Sequence, residues 1–144
     1  RKLIDSLKAH PDSFVTVDKV DTVKRDTVFA FPKKVGVIVN DYCASSCEQF
    51  VLSARNSKKV TVFGTNTLGV LDYSNSVPVD MPVENFQIRY PLTRSNRLPE
   101  YPIDNIGIAP DVRITLPDNL NLKSEIDDWV KFVKEYLEEK LESE

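Results

Sequence analysis

The sequence predicts an α/β fold, and three observations carry that prediction. Two short runs rich in β-branched residues, Lys34–Asn40 and Lys59–Gly64, read as strands buried on both faces. Between them, Ala44–Asn56 suits a helix, with Phe50, Val51 and Ala54 expected on its inward side. Strand, helix and strand then fill about thirty residues, the length of a βαβ unit, so a parallel pair with a right-handed crossover is expected. A second amphipathic segment closes the chain, and no internal repeat is present.

The remaining elements follow in order. Leu3, Ile4 and Leu7 recur at helical spacing over residues 2–9, and His10-Pro11 ends that helix because proline disfavours helical geometry in the residue before it. Phe14–Val17 is a short strand candidate, and residues 18–30 read as an extended or irregular connector. Phe31-Pro32 marks a boundary. Residues 65–82 read as loop with short extended pieces, Glu84–Tyr90 as a half-buried strand, and 91–105, with three prolines, as surface loop. Val112–Leu116 is a last short strand. Ser124-Glu125-Ile126-Asp127 resembles a capping box opening a helix that turns Ile126, Trp129, Val130, Val133, Leu137 and Leu141 inward. One domain is expected over 1–144: helix and connector over 1–30, core over 31–118, C-terminal helix over 119–144.

Composition narrows the function. The 144 residues carry 19 basic and 22 acidic side chains, a net charge of −3, which argues against a nucleic-acid partner. One histidine and two cysteines are too few for a structural zinc site. No apolar run reaches the ~18–20 residues of a membrane span, and the first residues hold no basic-then-apolar leader pattern.

Chemistry concentrates in Asn40-Asp41-Tyr42-Cys43-Ala44-Ser45-Ser46-Cys47-Glu48. Here a turn of small residues leads from a buried strand straight into a helix. Such a turn can present a nucleophilic hydroxyl at a helix start, where the Ser46 N–H can hold an oxyanion formed at Ser45. Ser45 and Ser46 also suit plain N-cap and first-turn roles. Cys43 and Cys47 stand close enough for a disulfide if the turn permits; free thiols packed as small hydrophobes are the simpler expectation. Glu48 either touches the site or merely complements the helix dipole.

Three segments resemble peptidase family S41, the tail-specific and tricorn-like serine proteases. Ser45-x-x-Glu48 after a strand ending Val-Asn resembles the nucleophile motif. Lys59 through Gly69 resembles the following strand and its Gly-x-x-Thr-x-Gly loop. Ile103–Val112, with Gly107-Ile108-Ala109-Pro110-Asp111-Val112, resembles the closing signature. The resemblance implies a ClpP/crotonase-like core fragment, the C-terminal part of a larger catalytic core. It implies Ser45 as nucleophile, Asp104 as an orienting acid, the Ser46 N–H as oxyanion donor, and Glu48, Thr67 and Gly69 lining the site. No metal or organic cofactor is implied. Asn105 and the Pro110-Asp111 turn read as backbone-closing, and Arg94–Pro102 as a substrate-side loop or a connector.

The departures are equally informative. Tail-specific members place a lysine base 25 positions after the serine; from Ser45 that position is Val70, which cannot take a proton. Tricorn-like members use a histidine, but only His10 is present, at a predicted helix end. The base is therefore expected from the remainder of the core or another subunit, acting on a polypeptide substrate. The resemblance also implies a periplasmic, cell-envelope or exported location. The alternative is a non-catalytic peptide-binding or scaffold domain that kept the fold, with a crotonase-like acyl-CoA enzyme as a further rival.

Overall fold

The computed structural model describes residues 2–16, 27–114 and 127–143. The chain divides into two compact units, residues 1–30 and 31–144. The first contains helix α1 (Lys2–Ala9), which ends where predicted; the His10 N–H donates to the Ser6 carbonyl. Residues 14–16 form no strand, contrary to expectation, and Val17 lies outside the described residues.

The second unit is built on a parallel sheet of three strands, β1 (Val35–Val39), β2 (Val60–Gly64) and β5 (Val112–Arg113), in the order β1-β2-β5. Helix α2 (Ser46–Ala54) makes the crossover between β1 and β2, whose register runs from Val35 opposite Val60 to Val39 opposite Gly64. This is the predicted βαβ unit. Alternation decides what each strand face buries. Val37, Val39, Val60 and Val62 join Cys43, Val51, Leu52, Leu71, Ile103 and Ile108 in one apolar core. On the other face, Gly36 and Phe63 meet helix α3 (Asp128–Glu142). The Phe63 ring packs edge-on against Tyr136, with centroids 5.2 Å apart. Burial on both faces thus holds for β2, whereas Ile38 of β1 is partly exposed.

Several boundaries differ from the sequence expectation. Phe50 faces outward, and Val51 alone of the expected trio is fully buried. Residues expected to be loop instead form β3 (Tyr73–Asp80), an eight-residue strand antiparallel to β4 (Gln87–Arg94). β4 begins later than expected, runs into the proline-bearing stretch, and is largely exposed rather than half-buried. Pro91 is tolerated because each strand of a two-stranded ribbon is an edge strand. Helix α3 is capped by Asp127, whose side chain accepts the Trp129 N–H (2.8 Å); Ser124, Glu125 and Ile126 lie outside the described residues. Of its expected inward residues, Val133 is buried, while Val130 and Leu141 are exposed. The described part of the last strand is Val112–Arg113; Leu116 falls outside it. Among the described residues no helix is long and apolar enough to cross a membrane.

Candidate active site

The turn between β1 and α2 is built by short-range hydrogen bonds. Asn40 closes it, its carbonyl accepting the Cys43 N–H (3.0 Å) and its side-chain oxygen accepting the Tyr42 N–H (3.0 Å). Ser45 is the N-cap of α2 and has φ 52° and ψ −108°, a conformation that L side chains rarely adopt. Such backbone persists only where neighbours enforce it. One enforcing contact is the Ser45 N–H, which donates to Glu48 Oε2 (2.9 Å). Ser45 and Ser46 are both exposed. The Ser46 N–H opens α2 and has no hydrogen-bond acceptor among the described residues. An exposed hydroxyl and a free N–H thus sit together beyond the carboxyl end of a parallel strand, at the positive end of a helix.

Cys43 and Cys47 flank this turn, and they are joined. Their disulfide spans Cα atoms 5.3 Å apart, so the expectation of free thiols is corrected. The Asn40–Cys43 turn and the Cys47 N–H on the Ala44 carbonyl (3.0 Å) bring the two cysteines together. Cys43 is buried and Cys47 exposed.

Glu48 is fully buried, at 0% exposure, yet charged. Its Oε1 accepts the Thr67 hydroxyl (2.6 Å) and the Gly69 N–H (2.7 Å); its Oε2 accepts the N–H groups of Ser45 and Val70 (3.0 Å for the latter). Burial pushes the carboxyl up, but four donors outweigh burial and hold it below its ordinary value. Glu48 thus ties the Ser45 turn, through one bond, to the 67–70 loop, through three, a larger part than dipole complementation. The Leu68 N–H adds a fourth bond from the loop, to the Cys43 carbonyl (2.9 Å).

A second carboxylate pair fastens that loop to the closing motif. Asp104 Oδ1 accepts the N–H groups of Leu71 (2.6 Å) and Asp72 (2.7 Å). Asp72, 1% exposed, returns the arrangement: its Oδ2 accepts from Ile103 (2.5 Å) and Asp104 (2.8 Å), and its Oδ1 pairs with Arg97 (3.3 Å). Burial again raises this carboxyl, while the Asp104 and Ile103 N–H groups and the Arg97 guanidinium bring it below its usual range. Gly69 and Gly107 complete the join. Both have positive φ, and a Cβ on Gly107 would overlap the Thr67 carbonyl oxygen. The Asn105 N–H donates to the Gly69 carbonyl (2.9 Å). Asp111 closes the far side, accepting the Val62 N–H (2.7 Å) and pairing with Arg55 (2.9 Å).

The structure therefore brings Ser45, Glu48, Thr67 and Gly69 into one hydrogen-bonded cluster, with Ser46 adjoining it through the chain. Asp104 lies one loop further out, and no hydrogen bond links it to Ser45. His10 belongs to the first unit, where its Nδ1 lies 3.1 Å from the Ser6 carbonyl oxygen. Val70, which falls where the sequence comparison expects a lysine in tail-specific members, places its N–H on Glu48 and leaves its side chain partly exposed. Asp72 is the residue that sequence reasoning missed. Its one signal is an isolated acid among apolar and small residues directly after the Gly69 loop. Among the described residues no group of three or more His, Cys, Asp or Glu side chains is placed to hold a metal ion.

The order of these segments matches the model of peptidase family S41 over residues 4–114. The chain belongs to peptidase family S41. Its fold recurs among solved structures, of which two serve as examples. One is the tricorn protease, with a TM-score of 0.58 and 23% identity, covering 85% of this chain and 12% of that one. The other is a candidate peptidase from Parabacteroides merdae, with a TM-score of 0.53 and 18% identity, covering 74% of this chain and 32% of that one. The S41 chain thus spans about a third or less of either. No curated protein matches it.

Proposed function

We propose that this chain is the nucleophile-bearing, C-terminal part of a serine peptidase core of the ClpP/crotonase type. The single observation that carries the proposal is the Ser45 turn: a serine held at φ 52° on a strand-to-helix corner, with the open Ser46 N–H beside it. Membership of peptidase family S41 supports peptide-bond hydrolysis as the chemistry of that corner. In this reading Ser45 Oγ attacks a peptide carbonyl carbon, the carbonyl oxygen takes the negative charge, and the Ser46 N–H stabilises it. The leaving amine departs to give an acyl-serine, and water then cleaves that ester and regenerates the hydroxyl. Glu48 is a positioning residue, setting Ser45 and the 67–70 loop at one distance. Thr67 and Gly69 line the site through their hydrogen bonds to Glu48. Asp104 orients the outer part of the constellation.

The proton acceptor is supplied from elsewhere, either the remainder of the polypeptide or another subunit. Val70 stands where tail-specific members carry lysine, so a histidine-based, tricorn-like arrangement fits better. The substrate is an extended polypeptide, and an exported or envelope location accords with the family. A second reading, a peptide-binding or scaffold domain without catalysis, is favoured by Val70 and by the lack of any histidine after Ser45 in the sequence. Fluorophosphonate labelling of the full-length protein separates the two. An adduct mapped to Ser45 is expected, and its absence on folded protein refutes the peptidase reading.

A further inference from the structure

We propose that the Cys43–Cys47 disulfide is a redox latch on the nucleophile turn, so that Ser45 is reactive in the oxidised protein and slack in the reduced one. The inference deepens the peptidase reading and rests on it for the part that concerns reactivity. Its structural part, that the bridge holds the turn and the 67–70 loop together, stands on geometry alone.

Three contacts hold Ser45 in its uncommon backbone conformation. The Glu48 carboxylate takes its N–H, the disulfide closes a ring of five residues around it, and the Cys43 carbonyl is anchored by the Leu68 N–H. The bridge therefore acts on both ends of the turn. Cys47 is on α2, two residues past Ser45's cap position, and Cys43 is the residue that carries the bond to the loop. Without the bridge, residues 43–45 regain rotational freedom, and the preferred basin for a serine is not φ 52°.

The bridge is placed to be opened selectively. Cys43 is buried and Cys47 exposed, so a dithiol reductant reaches the Cys47 side. Its thiolate attacks the Cys47 sulfur, forming a mixed disulfide and releasing Cys43 as a thiolate, which takes up a proton. The second thiolate of the reductant then attacks the mixed disulfide, freeing Cys47 and closing the reductant's own disulfide. Two electrons pass from the dithiol to the protein, and both cysteines end as thiols. The core beneath survives, because β1 and β2 are held by their own sheet pairing and a reduced Cys43 still packs in the apolar core as a small hydrophobic thiol.

The test uses the full-length protein with and without dithiothreitol, together with the variant C43A/C47A. Two quantities are read: fluorophosphonate labelling rate at Ser45, and hydrogen exchange of the Leu68, Gly69 and Val70 amides against those of β1 and β2. Reduction is expected to slow labelling roughly tenfold, a change of about 1.4 kcal/mol in the barrier, and reoxidation to restore it. Exchange is expected to rise at 68–70 and not in the strands. C43A/C47A should match the reduced protein and ignore the dithiol. Unchanged exchange at 68–70, or a rise across β1 and β2 as well, overturns the latch. Equal labelling in both redox states overturns it while leaving the serine reading intact. If neither state labels, the serine reading fails, and the exchange pattern still decides whether the bridge holds the loop.

Discussion

Replacing Glu48 by glutamine keeps the side chain's shape but removes its charge and half of its acceptors. Each carboxylate oxygen accepts two donors: Thr67 and Gly69 on Oε1, Ser45 and Val70 on Oε2. Whichever way the amide turns, its NH2 faces two donors that then lack an acceptor. A buried donor left unmet costs about 1–3 kcal/mol. The Ser45 and Val70 sites are only partly buried, so the amide settles with its nitrogen there, at a loss of about 2–4 kcal/mol. For a domain of this size that lowers Tm by about 10 °C. The loss is also pH-dependent. The folded carboxyl titrates below its ordinary value of 4.5, so the stabilisation is complete above that value and is lost as pH falls through the depressed one. Glutamine binds no such proton, and the gap between wild type and E48Q must close on acidification. Urea unfolding at neutral and acidic pH, followed by far-UV circular dichroism, measures both effects. A loss below about 1 kcal/mol at pH 7 contradicts the four-donor account, and so does a gap that stays constant as pH falls.

Three further substitutions probe the frame around the site. Asp72→Ala removes the acceptor of Ile103 and Asp104 and leaves Arg97 unpaired; a loss of about 3 kcal/mol is expected in chemical denaturation, with faster proteolysis in the 95–105 loop. Gly36→Ala places a Cβ 2.5 Å from Val133 Cγ1 and 3.3 Å from Leu137 Cδ1, lifting α3 from the sheet. It should cost about 1–3 kcal/mol and change the fluorescence of Trp129. Ser45→Gly relieves the positive φ at a small loss in capping, so Tm should rise, by a net gain of about 1 kcal/mol, while fluorophosphonate labelling disappears. A fall in Tm would show that the turn is not strained.

The strand-to-helix turn around Ser45 is legible in the sequence because its signal is local. A β-branched run, four small or polar residues and a helix start lie within a dozen positions, and each constrains its neighbours directly. Strand β3 and its pairing with β4 are not legible in the sequence, for the opposite reason. Its Tyr73–Asp80 strand contains Pro78 and polar residues that read as loop, and only pairing with β4 makes it extended. Phe50 was misplaced because helical periodicity fixes which residues share a face, not how wide a stripe the sheet covers.

What the sequence determined by itself is the α/β class, the βαβ unit, the family resemblance and the position of Ser45. What only the tertiary structure decided is which long-range partners meet. Glu48 receives donors 19 to 22 residues away, and Asp72 and Asp104 exchange bonds across 32. Those meetings depend on the β1–β2 register, which sets the heights at which the loops leaving the sheet come together. The disulfide belongs with them, since two cysteines four residues apart bridge only once the chain has turned at Asn40. Hydrogen bonds and bridges act over a few ångströms, so a one-dimensional pattern can name their donors and acceptors while the packed fold selects the pairs.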